Sequence, residues 1–468
     1  MVSEKKLLND QEMRNFIQNG YVTLQTDLPA SFHGNVYKKV EEMFEDHGNL
    51  GNNILPLIPD IQKIFDRPVV HGAMTSILGP NYVMHPHRYC HPNQPGSQGQ
   101  GFHKDSYEGD EQVRHHRCRW TMVFYYPQDT TEDMGPTAVL PGSQYYDTHE
   151  TAHSQPELPL CGKAGTLTIV HYDLWHRAMP NHSQKKRYMV KFLFLRLGDP
   201  QEPSWDNVQA KWQSVAHNGN SDNRHQFMWS KFWNWHRGEQ NGSIENIDSK
   251  SEDTSTLIEM LQDENQDEAL RLEAAYVLGT IGPSVIPTLI EMLRDDSEDV
   301  SRHATFALGA SGGSAIPALI KALDDTNESV RANAAFALGD IGQLAQDAAP
   351  KLTQLLSDES EWVRRHASEA LGTIGYPSEE AVSALTLLLQ DKHYWIRDNA
   401  ARTLAKMGAS AESAIPALIP ILDDENRYVR FHAALALKQI GTPTATNILF
   451  DHLLTSRWCS VTNRNNAY

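Results

Sequence analysis

Residues 316–342 read IPALIKALDDTNESVRANAAFALGDIG. Ile316, Leu319, Ile320 and Leu323 fall at i, i+3, i+4 and i+7, which puts them on one side of a helix. Asp324 and Asp325 break that run, and a second helix follows in which Val330, Ala334, Ala337 and Leu338 face inward. Gly339 or Gly342 marks its end, where a left-handed cap favours glycine. Two such helices cannot bury their apolar faces alone, and the pattern returns. Leu338 has counterparts at Leu278, Leu308, Leu371, Leu404 and Leu437, so the successive spacings are 30, 30, 33, 33 and 33 residues. A fixed period in this range is the mark of a solenoid whose units stack on their neighbours. Six units over 255–455 are predicted, with alanines allowing close helix contact. Arginine stands seven residues before the marker leucine in five units, as Arg271, Arg331, Arg364, Arg397 and Arg430, with Ser301 the exception. These arginines are expected to form a structural ladder with the inter-helix aspartates.

Charge separates this half from the rest. The 468 residues carry a net charge of −18; residues 1–238 hold 23 basic and 25 acidic side chains, and 239–468 hold 18 and 34. An acidic half repels phosphate backbones, which argues against nucleic acid and leaves a basic protein or peptide as the better partner for the solenoid, unless the acidity serves only solubility. No stretch reaches the ~18 to 20 apolar residues that span a bilayer, and Met1–Asp10 lacks an apolar signal core, so no membrane and a cytoplasmic location are expected. Cys90, Cys118, Cys161 and Cys459 are scattered, indicating neither a disulfide framework nor a thiolate zinc site. The expected division is a catalytic domain over 1–238, a linker rich in Glu, Asn, Gly and Ser over 239–254, the solenoid over 255–455, and a tail over 456–468.

The first domain opens with Asn9 or Asp10 as a helix cap, Met13, Phe16 and Ile17 on one face, and Gly20 as a stop before a strand from Tyr21 to Leu24. Strand-like segments follow at 82–89, 120–126, 137–140, 166–171 and 187–197, separated by Gly/Pro turns, which suggests an antiparallel sandwich or barrel. Aromatics at Trp229, Phe232, Trp233 and Trp235 predict a helix packed against the catalytic domain or the solenoid. In Gly101-Phe102-His103-Lys104-Asp105 an imidazole and a carboxylate lie two residues apart, so extended backbone turns both to one side. His176 follows a strand-like run and offers a third ligand. Two histidines and one carboxylate leave three coordination positions open, as in non-haem Fe(II) oxygenases. Zinc hydrolysis is the weaker reading, because the chain has no H-E-x-x-H and no evident general base. His85, His87, His91, His115, His116 and His171 are read as structural or surface histidines.

These motifs, in this order, resemble the phytanoyl-CoA dioxygenase family of Fe(II)- and 2-oxoglutarate-dependent enzymes. The resemblance runs over most of 7–198: the opening L-x-D-x-x-x-x-x-F-x-x-x-G-Y-V-x-L, Pro95-Gly96-Ser97 ahead of His103-Lys104-Asp105, Trp120, Gly135-Pro136-Thr137, Pro141-Gly142-Ser143, and W-H-x-x-x-P-N-x-S ending at Ser183. It implies a double-stranded β-helix (jelly-roll, cupin-like) fold, Fe(II) on His103, Asp105 and His176, and O2 and 2-oxoglutarate as cosubstrates. Arg187, eleven residues after His176, stands where the family keeps the arginine that pairs with the distal carboxylate. Trp120 is expected to wall the cosubstrate pocket, or equally to serve the core, and Thr137 to lend a hydroxyl nearby or form a turn. Gln144 and Ala178 depart from the family pattern on the expected substrate side. The repeats resemble the short HEAT-like repeats first noted in phycobilisome lyases. The whole is an α+β multidomain chain, an oxygenase followed by an all-α HEAT-like solenoid.

The expected reaction is hydroxylation of an unactivated C–H bond of a small organic substrate, with the solenoid for interaction or oligomerisation. Halogenation is disfavoured, since Asp105 fills the position that halide-binding relatives leave vacant. Two alternatives stand beside this: a hydroxylase acting on a peptide, protein or carrier-bound substrate recruited by the solenoid, and a non-catalytic scaffold.

Overall fold

The computed structural model of the chain describes residues 6–49, 51–105, 114–152, 156–215, 224–239 and 253–455. Residues 240–252 of the expected linker, the tail at 456–468 and Cys459 lie outside the described residues.

The N-terminal part is built on two antiparallel sheets. Its strands are β1 (Tyr21–Gln25), β2 (Val83–Asn93), β3 (Trp120–Tyr125), β4 (Thr137–Val139), β5 (Leu158–Pro159), β6 (Thr166–His171), β7 (His176–Ala178) and β8 (Arg187–Leu195). Five of them pair in the order β1-β6-β3-β8-β2 and the other three in the order β5-β4-β7, the two-sheet arrangement of a jelly roll. The expected strands are all present. The short β5 and β7 were not foreseen, because two or three residues carry no readable alternation.

Strand β8, Arg-Tyr-Met-Val-Lys-Phe-Leu-Phe-Leu, is buried along its whole length and shows why the sheet sits as it does. Tyr188, Val190, Phe192 and Phe194 point outward into a core shared with the helices at Asp10–Asn19, Ala30–His47 and Pro68–Leu78. Met189 and Leu193 point the other way, into the space between the sheets. That leaves Arg187 and Lys191 on the inner face, two buried cations in an otherwise apolar strand. The first helix begins as its sequence requires. Asn9 accepts from Glu12 N at 3.0 Å while Glu12 accepts from Asn9 N at 2.8 Å, a reciprocal cap that satisfies two orphan amides.

The C-terminal part is a stack of helix pairs. The second helices of the six units are Glu268–Ile281, Glu298–Ala310, Glu328–Ile341, Glu361–Ile374, Tyr394–Met407 and Arg427–Ile440. All six marker leucines are fully buried, and so are the small residues one turn earlier, such as Ala304, Ala334 and Ala400. Gly339 is needed for close approach: a Cβ there would lie 2.9 Å from the backbone of Ala370 in the next unit. The arginine ladder forms. Arg271 pairs with Asp299 at 3.1 Å, Arg331 with Asp358 at 2.8 Å, Arg364 with Asp391 at 2.9 Å and Arg397 with Asp424 at 2.8 Å, each reaching into the following unit. Arg430, in the sixth unit, donates to the carbonyls of Asp424 and Glu425.

The two parts share one core. Tyr276, Phe306 and Phe336, from the second helices of the first three units, pack in the same apolar cluster as Trp229, Phe232 and Trp233 of the Gln226–His236 helix. His115 stacks on Phe336 at 4.3 Å between ring centres, and His116 Nδ1 lies 2.9 Å from Tyr276 Oη. These two histidines, expected in a polar loop, are instead junction residues. Glu268 accepts from the backbone N–H groups of Asp147 and Thr148 at 2.6 and 2.9 Å, and Arg302 pairs with Asp147 at 2.9 Å.

Candidate metal centre

A backbone bridge brings the expected ligands together. His103 N donates to His176 O at 2.9 Å and His176 N donates to His103 O at 3.0 Å, so the two residues stand directly opposite. Directly opposed side chains leave on one side, and Asp105, two residues further on, joins them. The loop before His103 is guided onto β7 by Gly96 N to Asn181 O (2.9 Å) and Gln100 N to Ala178 O (2.8 Å). Gly99 makes this possible: its φ is +74°, and a Cβ would lie 2.3 Å from Ala178 O.

The ligand atoms of His103, Asp105 and His176 all lie within 4.8 Å of one another, the one such His/Cys/Asp/Glu group of three or more among the described residues. Each histidine has its tautomer set by a backbone carbonyl, His103 Nδ1 by Gly101 O and His176 Nδ1 by Leu174 O, both at 3.0 Å, so that Nε2 carries the lone pair. Burial, eased by Asp105, pulls His176 down to about 4, which leaves it neutral and able to ligate at neutral pH. Burial pushes Asp105 up, but Lys191, His176 and His103 outweigh it and hold the carboxylate at about 2. Lys191 Nζ lies 2.5 Å from Asp105 Oδ2. Two imidazoles and a carboxylate suit a divalent ion such as Fe(II) and leave coordination positions for other ligands.

A cavity of about 280 Å3 opens beside this group, lined by His103, His176, Thr137, Arg187 and Lys191 among others. Arg187 is 1% exposed. Its Nε and Nη2 donate to Gly135 O at 2.9 and 2.7 Å and its Nη1 to His91 O at 3.3 Å, and no acidic side chain pairs with it among the described residues. A guanidinium has five N–H groups, so these bonds leave one on each terminal nitrogen, the pair that forks onto a carboxylate. A buried cation without a counter-ion is costly and fits an anionic ligand in this cavity. The residues present therefore fit both Fe(II) and a 2-oxo diacid.

Thr137 lines the cavity and its amide donates to Tyr126 Oη at 3.0 Å. Trp120 does not line it. The expectation that Trp120 walls the cosubstrate pocket is corrected: at the start of β3 it pairs with Leu195, beyond Lys191 on β8, and faces a second cavity. Gln144 also lies away from the site, donating to Ile17 O at 3.1 Å, so its departure from the family pattern is a packing feature. Lys191 and His91, both lining the first cavity, were missed. Lys191 was within reach of sequence reasoning, since it stands four residues after Arg187 on the same face of one strand.

Residues 40–189 match the phytanoyl-CoA dioxygenase (PhyH) family, and residues 254–326, 316–405 and 382–463 match HEAT repeats. No curated protein matches the chain. Similar solved structures include the non-haem alpha-ketoglutarate-dependent carbocyclase SnoK from nogalamycin biosynthesis, at 15% identity over 42% of this chain and 88% of that one, with a TM-score of 0.35. EctD from S. alaskensis with bound Fe is 15% identical over 42% and 81%, with a TM-score of 0.36, and an engineered protein is 26% identical over 40% and 96%, with a TM-score of 0.30. Among the described residues no helix is long and apolar enough to cross a membrane.

Proposed function

From a chain that joins a phytanoyl-CoA dioxygenase-family oxygenase domain to HEAT repeats, we propose a 2-oxoglutarate-dependent hydroxylase of a small organic molecule. His103, Asp105 and His176 would hold Fe(II), and Arg187 would take the distal carboxylate of 2-oxoglutarate. The observation that carries the reading is the lone buried guanidinium of Arg187 in the same cavity as the two facing imidazoles. Bound there, ferrous iron with O2 and 2-oxoglutarate supplies the oxidation that turns R–H into R–OH while releasing succinate and CO2.

The chain's own groups do the positioning. The carbonyls of Gly101 and Leu174 keep both imidazoles in the ligating tautomer. Lys191 keeps Asp105 ionised and in place, and the carbonyls of Gly135 and His91 fix the plane of the Arg187 fork. Thr137 bounds the cosubstrate cavity beside them. The division into a catalytic unit over 1–238, a linker over 239–254, a solenoid over 255–455 and a tail over 456–468 belongs to the same proposal.

Anaerobic addition of Fe(II) and 2-oxoglutarate to the full chain tests it. Weak visible charge-transfer absorption is expected, lost in His176→Ala and shifted to higher 2-oxoglutarate concentration in Arg187→Met. No absorption in the wild-type chain at saturating Fe(II) and 2-oxoglutarate overturns the reading. Succinate release against a metabolite panel then searches for the substrate.

A further inference from the structure

A second cavity, of about 150 Å3, lies further along β8 and is walled on one side by the solenoid. Along β8, Met189 and Lys191 line the first cavity and Leu193, the next residue on that face, lines the second. At ~3.3 Å per residue the second begins about 7 Å beyond Lys191. Tyr172, which also lines it, donates its Oη to Asp105 O at 2.7 Å, so this cavity adjoins the ligand-bearing segment.

The far wall belongs to the repeats. The position two residues before the marker leucine carries Tyr276, Phe306 and Phe336 in the first three units, and these seal the junction. In the fourth and fifth units the same position carries Glu369 and Arg402, and both face the cavity. Arg402 lies over the Trp120 ring at 5.6 Å and pairs with Glu369 at 3.2 Å. Tyr428 of the sixth unit stacks on His85 at 4.9 Å.

We infer that the fourth to sixth repeats form the substrate-selecting wall of the active site, and that the cavity takes an uncharged, ring-shaped molecule with polar substituents. Charges around it have partners: Glu369 with Arg402, Asp398 with His432 at 2.7 Å, Asp173 with Arg114 at 3.2 Å, Arg119 with Asp199 at 2.9 Å and Arg117 with Asp340 at 3.9 Å, while Arg365 lies over the Trp362 ring at 5.4 Å. Neutral hydrogen-bonding capacity is left over. Asn399 and His366, each 3% exposed and both on solenoid helices lining the cavity, bury Nδ2 and Nδ1 respectively with no hydrogen-bond partner among the described residues. A buried polar atom left unpaired is destabilising, and a ligand hydrogen bond would recover that loss. Trp120, Tyr172 and Tyr428 give flat faces for a ring, and about 150 Å3 is room for a single aromatic ring. The inference rests on the iron reading for the identity of the reacting centre, though not for the pocket itself.

Binding of phenol and benzamide to the full chain by ligand-observed NMR tests it, with benzoate and benzylamine as charged counterparts and Mn(II) as a relaxation probe in the metal site. The neutral probes should bind, the ions about tenfold more weakly or worse, and bound neutral probes should be relaxed by Mn(II). Asn399→Leu and His366→Phe should each weaken the neutral probes about tenfold; His366→Phe should leave thermal stability unchanged or raised, since it removes an unpaired polar atom, whereas Asn399→Leu also removes the Oδ1 that accepts from Arg402. Equal binding of the ions, unchanged affinity in both variants, or no binding of any probe overturns the assignment. Relaxation of 2-oxoglutarate by Mn(II) is the separate control: its absence removes the iron reading and the link to it, and the affinities alone then judge the pocket.

Discussion

The two cavities along β8 are built on different plans. The one that holds Arg187 is made wholly by the catalytic domain, from β2, β4, β7, β8 and the loop before His103. The one that holds Trp120 is completed by helices more than two hundred residues further along the chain. The side proposed to take the cosubstrate is therefore self-contained, and the side proposed to select the substrate depends on docking the solenoid. Changes on one side should leave the other intact.

The largest effect is expected at the His103–Asp105–His176 group. His176→Ala removes one of the three proposed metal donors, and both Fe(II)-dependent absorption and 2-oxoglutarate turnover should fall below detection. Arg187→Met should raise the 2-oxoglutarate dissociation constant by about a hundredfold, as for breaking a buried ion pair at about 3 kcal/mol, with probe binding in the second cavity unchanged by titration. Lys191→Met should weaken Fe(II) binding about tenfold, because Asp105 loses the group that orients it.

Phe336→Ala acts on the other plan. A buried ring in the junction core is worth about 3 kcal/mol, and its loss should appear as faster hydrogen exchange across 268–341 and 114–119, with 2-oxoglutarate affinity held within about twofold. The smallest effect is electrostatic. Burial would raise the Asp340 carboxyl, but Arg117, His115 and Arg119 hold it well below the usual carboxylate range. A depressed folded value gives stability that is present above about pH 4 and lost as pH falls. Burial would lower His115, but Glu369 and Asp340 raise it above its ordinary value. A raised folded value gives stability that is full below about pH 6.5 and lost as pH rises through it. The junction should therefore be firmest between about pH 4 and 6.5, which hydrogen exchange at a series of pH values can check.

The difference between the cavities also explains what the sequence could disclose. His103 and Asp105 could be picked out because they stand two residues apart in extended chain, and His176 because it follows a strand-like run, whereas Arg187 was legible only through the family resemblance. The repeats are legible through a period of 30 to 33 residues with buried leucines. Trp120 was assigned to the wrong side because nothing local tells which way the start of β3 faces once a solenoid packs beside it. Glu369, Arg402, Asn399 and His366 looked like ordinary polar helix positions. Their meaning arises only where Arg402 meets Trp120, across 282 residues of chain, and no periodicity reports such a meeting.

The arginine rungs have a consequence for how such a chain can change. Arg331, Arg364 and Arg397 each grip the loop of the following unit, while Tyr276 fastens the stack at one end and Tyr428 at the other. The array is in effect a ruler clamped at both ends against a rigid block. Gaining or losing a module would slide every later rung by one step and carry Arg402 away from Trp120. Module number, freely variable in an unattached solenoid, is here a fixed dimension of the enzyme.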